Sequence, residues 1–460
     1  MLHQNMIEDS MNMPKQQVIY TISELARTIP MSIVLWVMLW AAIDSGPWYW
    51  RHPVGFWQHV HAVRALLPFL AMGLAFIIIF ARQTQFAFTW ISPLGLMGLY
   101  GLVGILATMF STRPLGALCW GCFYLSVFVV IGLIIAKPHT LRSANQLITT
   151  NWLIIASYAF VLVFIARNEL FQEGLRLSGY GIIHRIPTII EMPMSRSSGI
   201  GRFAAIPAVI AFSRVLNGKG VFRSIWVIPL VIFTAVVIIM QSRGAVFGVA
   251  AGFCLVLILH RANLRIIFVV ILVLVTALYV DEKIPDRTLE YVYRGQDRVA
   301  FFSLTGRTHT WAEGWELFKR SPFIGFGPQA DRYSLYGQHI HNAYLYALVQ
   351  SGILGTIPFV AAWILAWVQF IRLFRRRDVI PQQQRLLLYE AGAVFAFFTV
   401  RSIPESSAAY FGVDLLIITP LLAYFQVLYL QYRVSPLTEY RLIYMPKACT
   451  PGLWGTERRQ

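Results

Sequence analysis

From Pro114 to Ala136 the chain reads PLGALCWGCFYLSVFVVIGLIIA, without one charged side chain, and Arg113 and Lys137 close it at either end. A helix rises 1.5 Å per residue, so roughly twenty apolar residues cross the ~30 Å hydrocarbon layer of a bilayer. In hydrocarbon every backbone N–H and C=O needs a partner within the segment, and an α-helix supplies them. Comparable runs recur near 30–43, 62–80, 91–110, 115–136, 148–166, 200–216, 224–240, 245–260, 264–280, 350–371, 386–402 and 413–432. The pattern predicts an all-α, polytopic membrane protein with about twelve transmembrane helices and a long, partly helical loop on its outer side. Composition agrees. Hydrophobic residues make up 57% and charged residues 13%, against about a quarter charged in a soluble domain.

The formal charge is +17, but the basic residues do not gather in one polar domain, so nucleic acid is not the expected partner. In a membrane chain they report orientation first. Arg372, Arg375, Arg376, Arg377 and Arg385 crowd one short connection, which the positive-inside tendency places in the cytoplasm. The expected organisation is then a cytoplasmic segment 1–29 that keeps its place because it lacks a signal-peptide core, and helices one to nine over 30–280. An outer loop near 167–199 interrupts them. A large outer loop follows over 281–342, then the last three helices over 343–432 and a cytoplasmic tail 433–460. Cys119 and Cys122 have redox-motif spacing, yet they lie within a span, and with Cys254 and Cys449 they imply no disulfide framework.

Three outer stretches carry chemistry. "QSRGA" at 241–245 puts Arg243 in a short turn, where a snorkelling interfacial arginine is the plain reading. "SLTGRTHTWAEGWELFKRSPFIGFGP" at 303–328 predicts a helix over 308–319 with Trp311, Trp315 and Phe318 on one face and Arg307 at its entrance. The Gly-Phe-Gly-Pro after it can bring backbone close to a ligand. "QHIHNAYL" at 338–345 sets His339, His341 and Asn342 at the start of an apolar helix that Asn342 can cap. No cysteine or carboxylate joins the histidines at metal-ligand spacing, so no metal site and no cofactor are expected. A histidine here can instead accept a proton near neutral pH.

Taken together, "SRGA", "GR" before a Trp-containing helix, "P-x-x-G-x-G" and "HN" before "SGILG" resemble the O-antigen ligase and polysaccharide polymerase superfamily over about 195–370. The resemblance implies a bacterial inner-membrane glycosyltransferase with its site on the periplasmic face. It would move a glycan from undecaprenyl diphosphate to a saccharide acceptor. Carried over, the family's catalytic histidine falls on His341 and its two motif arginines on Arg243 and Arg307. A further loop arginine falls on Arg196 or Arg202, with Arg196 nearer the expected spacing. A guanidinium is always charged and forks onto phosphate oxygens, so such a group of arginines can replace a metal ion at a diphosphate leaving group. The sequence has no Asp-x-Asp. A single displacement, with His341 deprotonating the acceptor hydroxyl, would invert the anomeric centre. Trp311, Trp315, Tyr333, Tyr336 and Asn342 are candidate glycan or lipid contacts, although core packing is the commoner fate of such aromatics. His339 is expected in a mobile, solvated loop.

The acceptor is open between lipid A–core saccharide (O-antigen ligation, the favoured reading) and another lipid-linked repeat (polymerisation). A transporter or flippase of lipid-linked sugar is the more distant alternative. Within the spans only Glu390 is acidic well away from the edges, and no paired broken helices are visible in the sequence.

Overall fold

A computed structural model describes residues 31–43, 56–83, 89–136, 140–165, 197–218, 220–240, 242–260 and 307–433, and among them all regular structure is helical. The helices are α1 (Met31–Ala41), α2 (Phe56–Arg82), α3 (Pro93–Leu106), α4 (Pro114–Ile134), α5 (Thr140–Ile165), α6 (Ser197–Asn217), α7 (Gly220–Ile239) and α8 (Arg243–Leu259). After them come α9 (Arg307–Arg320), α10 (Ala330–Ser334), α11 (Ala343–Arg375), α12 (Gln382–Arg401) and α13 (Val413–Tyr432). Among the described residues seven helices are long and apolar enough to cross a membrane, and α1, α8 and Arg223–Ile239 of α7 are shorter apolar ones. Every span read from the sequence falls on a helix except that near 264–280, which lies outside the described residues. Most of the loop near 167–199 does so too, but Ser197 already belongs to α6. Of the large loop over 281–342, residues 307–342 are described and hold α9 and α10.

Glycines let these helices approach closely, as hydrocarbon surroundings favour. A Cβ on Gly248 would meet Phe397 at 2.5 Å, and one on Gly252 would meet Val209 at 2.9 Å and the Ala393 carbonyl at 3.1 Å. α13 lies deepest, buried along nearly its whole length. Some polar side chains inside join one helix to another. Asn151 Oδ1 accepts from Trp40 Nε1 at 2.9 Å and from Trp36 Nε1 at 3.3 Å, tying α5 to α1.

Side-chain contacts define two ends of the bundle. At one end Gly201 of α6 faces Ser242, Gly244 of α8 faces Arg401 and Pro404, and the Ala343 amide donates to the Ser402 carbonyl. The N-termini of α6, α8 and α11 therefore meet the C-terminus of α12 there, and Arg202–Asp414 brings in the N-terminus of α13. At the opposite end Arg214 of α6 bonds Glu390 of α12 at 2.7 Å, Asn217 meets His260, and Arg376 donates to the Tyr432 carbonyl. The charged connection 372–385 and the histidine motif thus lie at opposite ends.

One helix is broken. Gly352 has φ 57° and ψ −164° within α11, and only a residue without Cβ fits, because a Cβ would stand 2.2 Å from the Phe323 carbonyl carbon. The loop after α9 heals the break. Phe326 and Gly327 amides donate to the Val349 and Gln350 carbonyls, while Ile353 and Leu354 amides donate to the Pro322 and Phe323 carbonyls. The Gly-Phe-Gly-Pro turn, expected beside a ligand, lies instead against this broken helix. Its glycines adopt positive φ so that two backbones can touch.

Candidate functional site

The site is built on the segment from His339 to Ala343, which every neighbouring element helps to hold. Asn342 caps α11, its Oδ1 accepting from the Tyr344 and Leu345 amides at 3.0 and 2.9 Å. Trp311 of α9 donates from Nε1 to the Ile340 carbonyl at 2.7 Å, while Ile340 packs with Leu317, Phe318, Ala330 and Val349. Buried Asp331 of α10 receives the Ile340 amide at 3.1 Å and lies 2.6 Å from His339 Nδ1. His341 itself takes φ 50°, a left-handed backbone that is uncommon away from glycine.

His339 therefore differs from the expected solvated residue. It is 8% exposed, and its ring lies 4.7 Å from that of His341 and 5.3 Å from that of Tyr410. The loop is polar in sequence, but Asp331, eight residues upstream, folds beneath it and supplies the partner.

Glu405, in the connection between α12 and α13, joins the two principal candidates. Its Oε1 accepts from Arg307 Nη2 at 2.9 Å and its Oε2 stands 3.1 Å from His341 Nδ1, while Arg307 Nη1 donates to the Pro404 carbonyl. Burial works against the Glu405 charge, but Arg307, the hydrogen bond from His341 and Arg401 outweigh it and hold the carboxyl well below its usual range. Glu405 is then an acceptor, so His341 donates from Nδ1 and its Nε2 is left with the lone pair. Burial lowers the His341 pKa, outweighing the opposite pull of Glu405, and so favours the neutral imidazole. Its side chain is still 29% exposed. A held, neutral, accessible imidazole has the attributes of a general base.

Beside this pair stands a second ionic group. Asp414 bonds Arg202 Nη1 through Oδ1 at 2.9 Å, accepts from Ser407 Oγ through Oδ2 at 2.8 Å, and accepts from Arg401 Nη1 through the same oxygen. Arg243 opens α8, whose next residue, Gly244, faces Arg401 and Pro404. Arg196 lies outside the described residues. Trp315 is exposed, with its ring against Phe318, and Tyr336 is fully exposed at a positive-φ position. Tyr333 lies beneath the Arg113 guanidinium, 5.6 Å from its ring centre. The convergence of Arg307, His341 and the N-terminus carrying Arg243 follows the sequence motifs. Glu405, Arg401, Asp414 and Asp331 do not belong to those motifs; in sequence Arg401 and Asp414 stand only as charges at the edges of apolar runs.

Residues 228–360 match the family model described as O-Antigen ligase. This stretch runs from α7 into α11 and contains Arg243, Arg307, His341 and Asn342. The resemblance to the O-antigen ligase and polysaccharide polymerase superfamily stands. A similar protein is the "Exopolysaccharide production protein ExoQ" of Rhizobium meliloti (strain 1021), 30% identical over 108 residues, which are 20% of this chain and 24% of that protein. The chain thus matches about a quarter of this relative's length.

Proposed function

We propose that this chain is a metal-independent, inverting glycosyltransferase of the bacterial inner membrane, which transfers a glycan from undecaprenyl diphosphate to a saccharide acceptor at the periplasmic face. The observation that carries this reading is the Arg307–Glu405–His341 arrangement. Glu405 orients the imidazole and stabilises the imidazolium that forms as Nε2 takes the acceptor hydroxyl proton. The logic is that of any carboxylate-held histidine base. As the glycosidic bond breaks, negative charge grows on the diphosphate. Arg243 and Arg307, with Arg196 or Arg202, are the groups assigned to meet it. The N-termini of α6, α8, α11 and α13 gather at the same end, and their dipoles favour an anion there.

Two acceptors fit. The matched family description favours ligation of O-antigen to lipid A–core, and the likeness to an exopolysaccharide production protein favours polymerisation of lipid-linked repeats. Deleting the gene separates them. Loss of ligation leaves long undecaprenyl-linked chains and uncapped lipid A–core, whereas loss of polymerisation leaves single repeats. Normal glycans of both kinds would refute the transferase reading. Transfer by purified protein should also persist in excess EDTA.

Among the described residues, the broken α11 is a feature shared with transporters. Here the amides of Ile353 and Leu354 and the carbonyls of Val349 and Gln350 are already bonded to the loop after α9, so the break is spliced by backbone.

A further inference from the structure

Among the described residues, Arg307 bonds Glu405, while both Arg202 and Arg401 rest on the single carboxylate of Asp414. His341 adds no negative charge. A guanidinium does not lose its proton in a protein, so the surplus positive charge cannot be relieved by titration. It is not relieved by water either. Arg401 is 4% exposed, the Arg202 side chain is 14% exposed, and Arg202 Nε is a buried N–H without a hydrogen-bond partner. Buried N–H groups and buried charges are ordinarily satisfied, so two guanidinium groups that share one carboxylate among the described residues suit an anion that comes from outside.

We propose that Arg202 and Arg401 form a phosphate-binding subsite in which Asp414 holds the anion's place until a phosphate of the lipid-linked donor displaces it. The two guanidinium groups bond different oxygens of the one carboxylate, an arrangement that a tetrahedral phosphate with more oxygens satisfies better. Arg202 lies in the first turns of α6, and Arg401 ends α12 where the N-termini of α6 and α8 meet it. The Arg401 stem lies 3.9 Å from where a Gly244 side chain would begin, so the subsite adjoins the helix end that bears Arg243. One phosphate would engage Arg243 and Arg307, and the second would engage Arg202 and Arg401. The inference rests on the reading that a lipid diphosphate binds at this end.

The test uses the purified full chain in detergent. Farnesyl diphosphate, a short isoprenyl diphosphate, is titrated and followed by thermal shift of tryptophan fluorescence. Removing the resident carboxylate should help the ligand, so Asp414→Asn is expected to tighten binding about tenfold. Arg202→Lys and Arg401→Lys should weaken it by about the same factor and erase any preference for diphosphate over farnesyl monophosphate. A pure clamp between α6, α12 and α13 predicts otherwise: the Asp414→Asn protein would melt earlier with affinity unchanged or lower, and that outcome overturns the proposal. If Asp414→Asn does not fold, unchanged affinity in Arg202→Lys overturns it instead. Equal competition by phosphatidylglycerol would make this a headgroup site and overturn it as well. The two readings fail separately. Absence of binding to the unaltered chain would sink the diphosphate reading itself, whereas binding that ignores Arg202 and Arg401 would sink only the subsite.

Discussion

His341 Nδ1 and Glu405 Oε2 stand 3.1 Å apart although 64 residues separate them in the chain. The contact exists because α11 and α12 run antiparallel, which returns the chain to the end where α11 began. It fixes which nitrogen can work, and that choice has a measurable signature.

The proposed mechanism requires the base form of His341, and burial lowers its pKa from about 6.5. Activity should therefore rise with pH along a limb centred below 6.5 and level off at higher pH. Glu405 pulls the imidazole up, so Glu405→Gln should move this limb to still lower pH while reducing kcat, by about a hundred-fold or more if orientation is lost. A limb that moves upward in Glu405→Gln would show that the carboxylate does not act on His341.

For stability the sign is the same. A histidine with a lowered folded pKa is protonated more readily when unfolded, so its contribution is intact above 6.5 and falls as pH drops from there towards the folded value. Thermal scans from pH 7.5 to 5 should show a falling melting temperature, and His341→Asn should flatten the slope. An unchanged slope would place the acid sensitivity elsewhere.

His339 and Asp331 should behave as one unit. Removal of either leaves the other buried and unpartnered, at a cost of about 1–3 kcal/mol. His339→Ala and Asp331→Ala should each lower the melting temperature, and the double variant should be less destabilised than the two effects added. Strict additivity in that cycle would mean that the pair contributes nothing as a pair.

Arg243→Lys and Arg307→Lys keep the charge but lose the fork. Arg307→Lys also loses one of the two contacts that hold Pro404 and Glu405. Both should reduce transfer, and Arg307→Lys should additionally alter the pH limb of His341 where Arg243→Lys does not. Full activity in both variants would make them interfacial anchors.

Orientation can be checked independently. Reporter fusions at Tyr336 and Arg377, from opposite ends of the bundle, should report opposite compartments, with Arg377 cytoplasmic. Agreement between the two would remove the basis for a periplasmic site.

The helices were legible because hydrocarbon demands long apolar runs, and α4 or α13 admits no other reading. His341, Arg307 and Arg243 were legible as a pattern of short motifs. Glu405 was not. It sits in "RSIPESSAAY" with no local periodicity, and its meaning comes wholly from the turn between α12 and α13. Gly352 was hidden for a different reason. The run "SGILGTIPFV" stays apolar on both sides of the break, and composition does not reveal which carbonyls a distant loop will take. In sequence His339 follows the tip "SLYGQ", which reads as mobile and solvated, whereas the partner that buries it, Asp331, arrives through α10.

The left-handed backbone at residue 341 bears on how its own role is assayed. Alanine has no side chain that compensates for φ 50°, and this region costs an ordinary L-residue about 1–2 kcal/mol. An alanine variant therefore changes the path of the main chain as well as deleting the imidazole, and a dead enzyme would not say which loss killed it. Glycine and asparagine tolerate that region. A comparison of His341→Gly, His341→Asn and His341→Ala separates the two: equal inactivity assigns the loss to the missing ring, and an alanine variant worse than both exposes the share owed to the bend. With the glycine variant, added imidazole offers a further reading, since a small base diffusing into the vacated space would restore turnover only where the ring, and not the chain, was wanting.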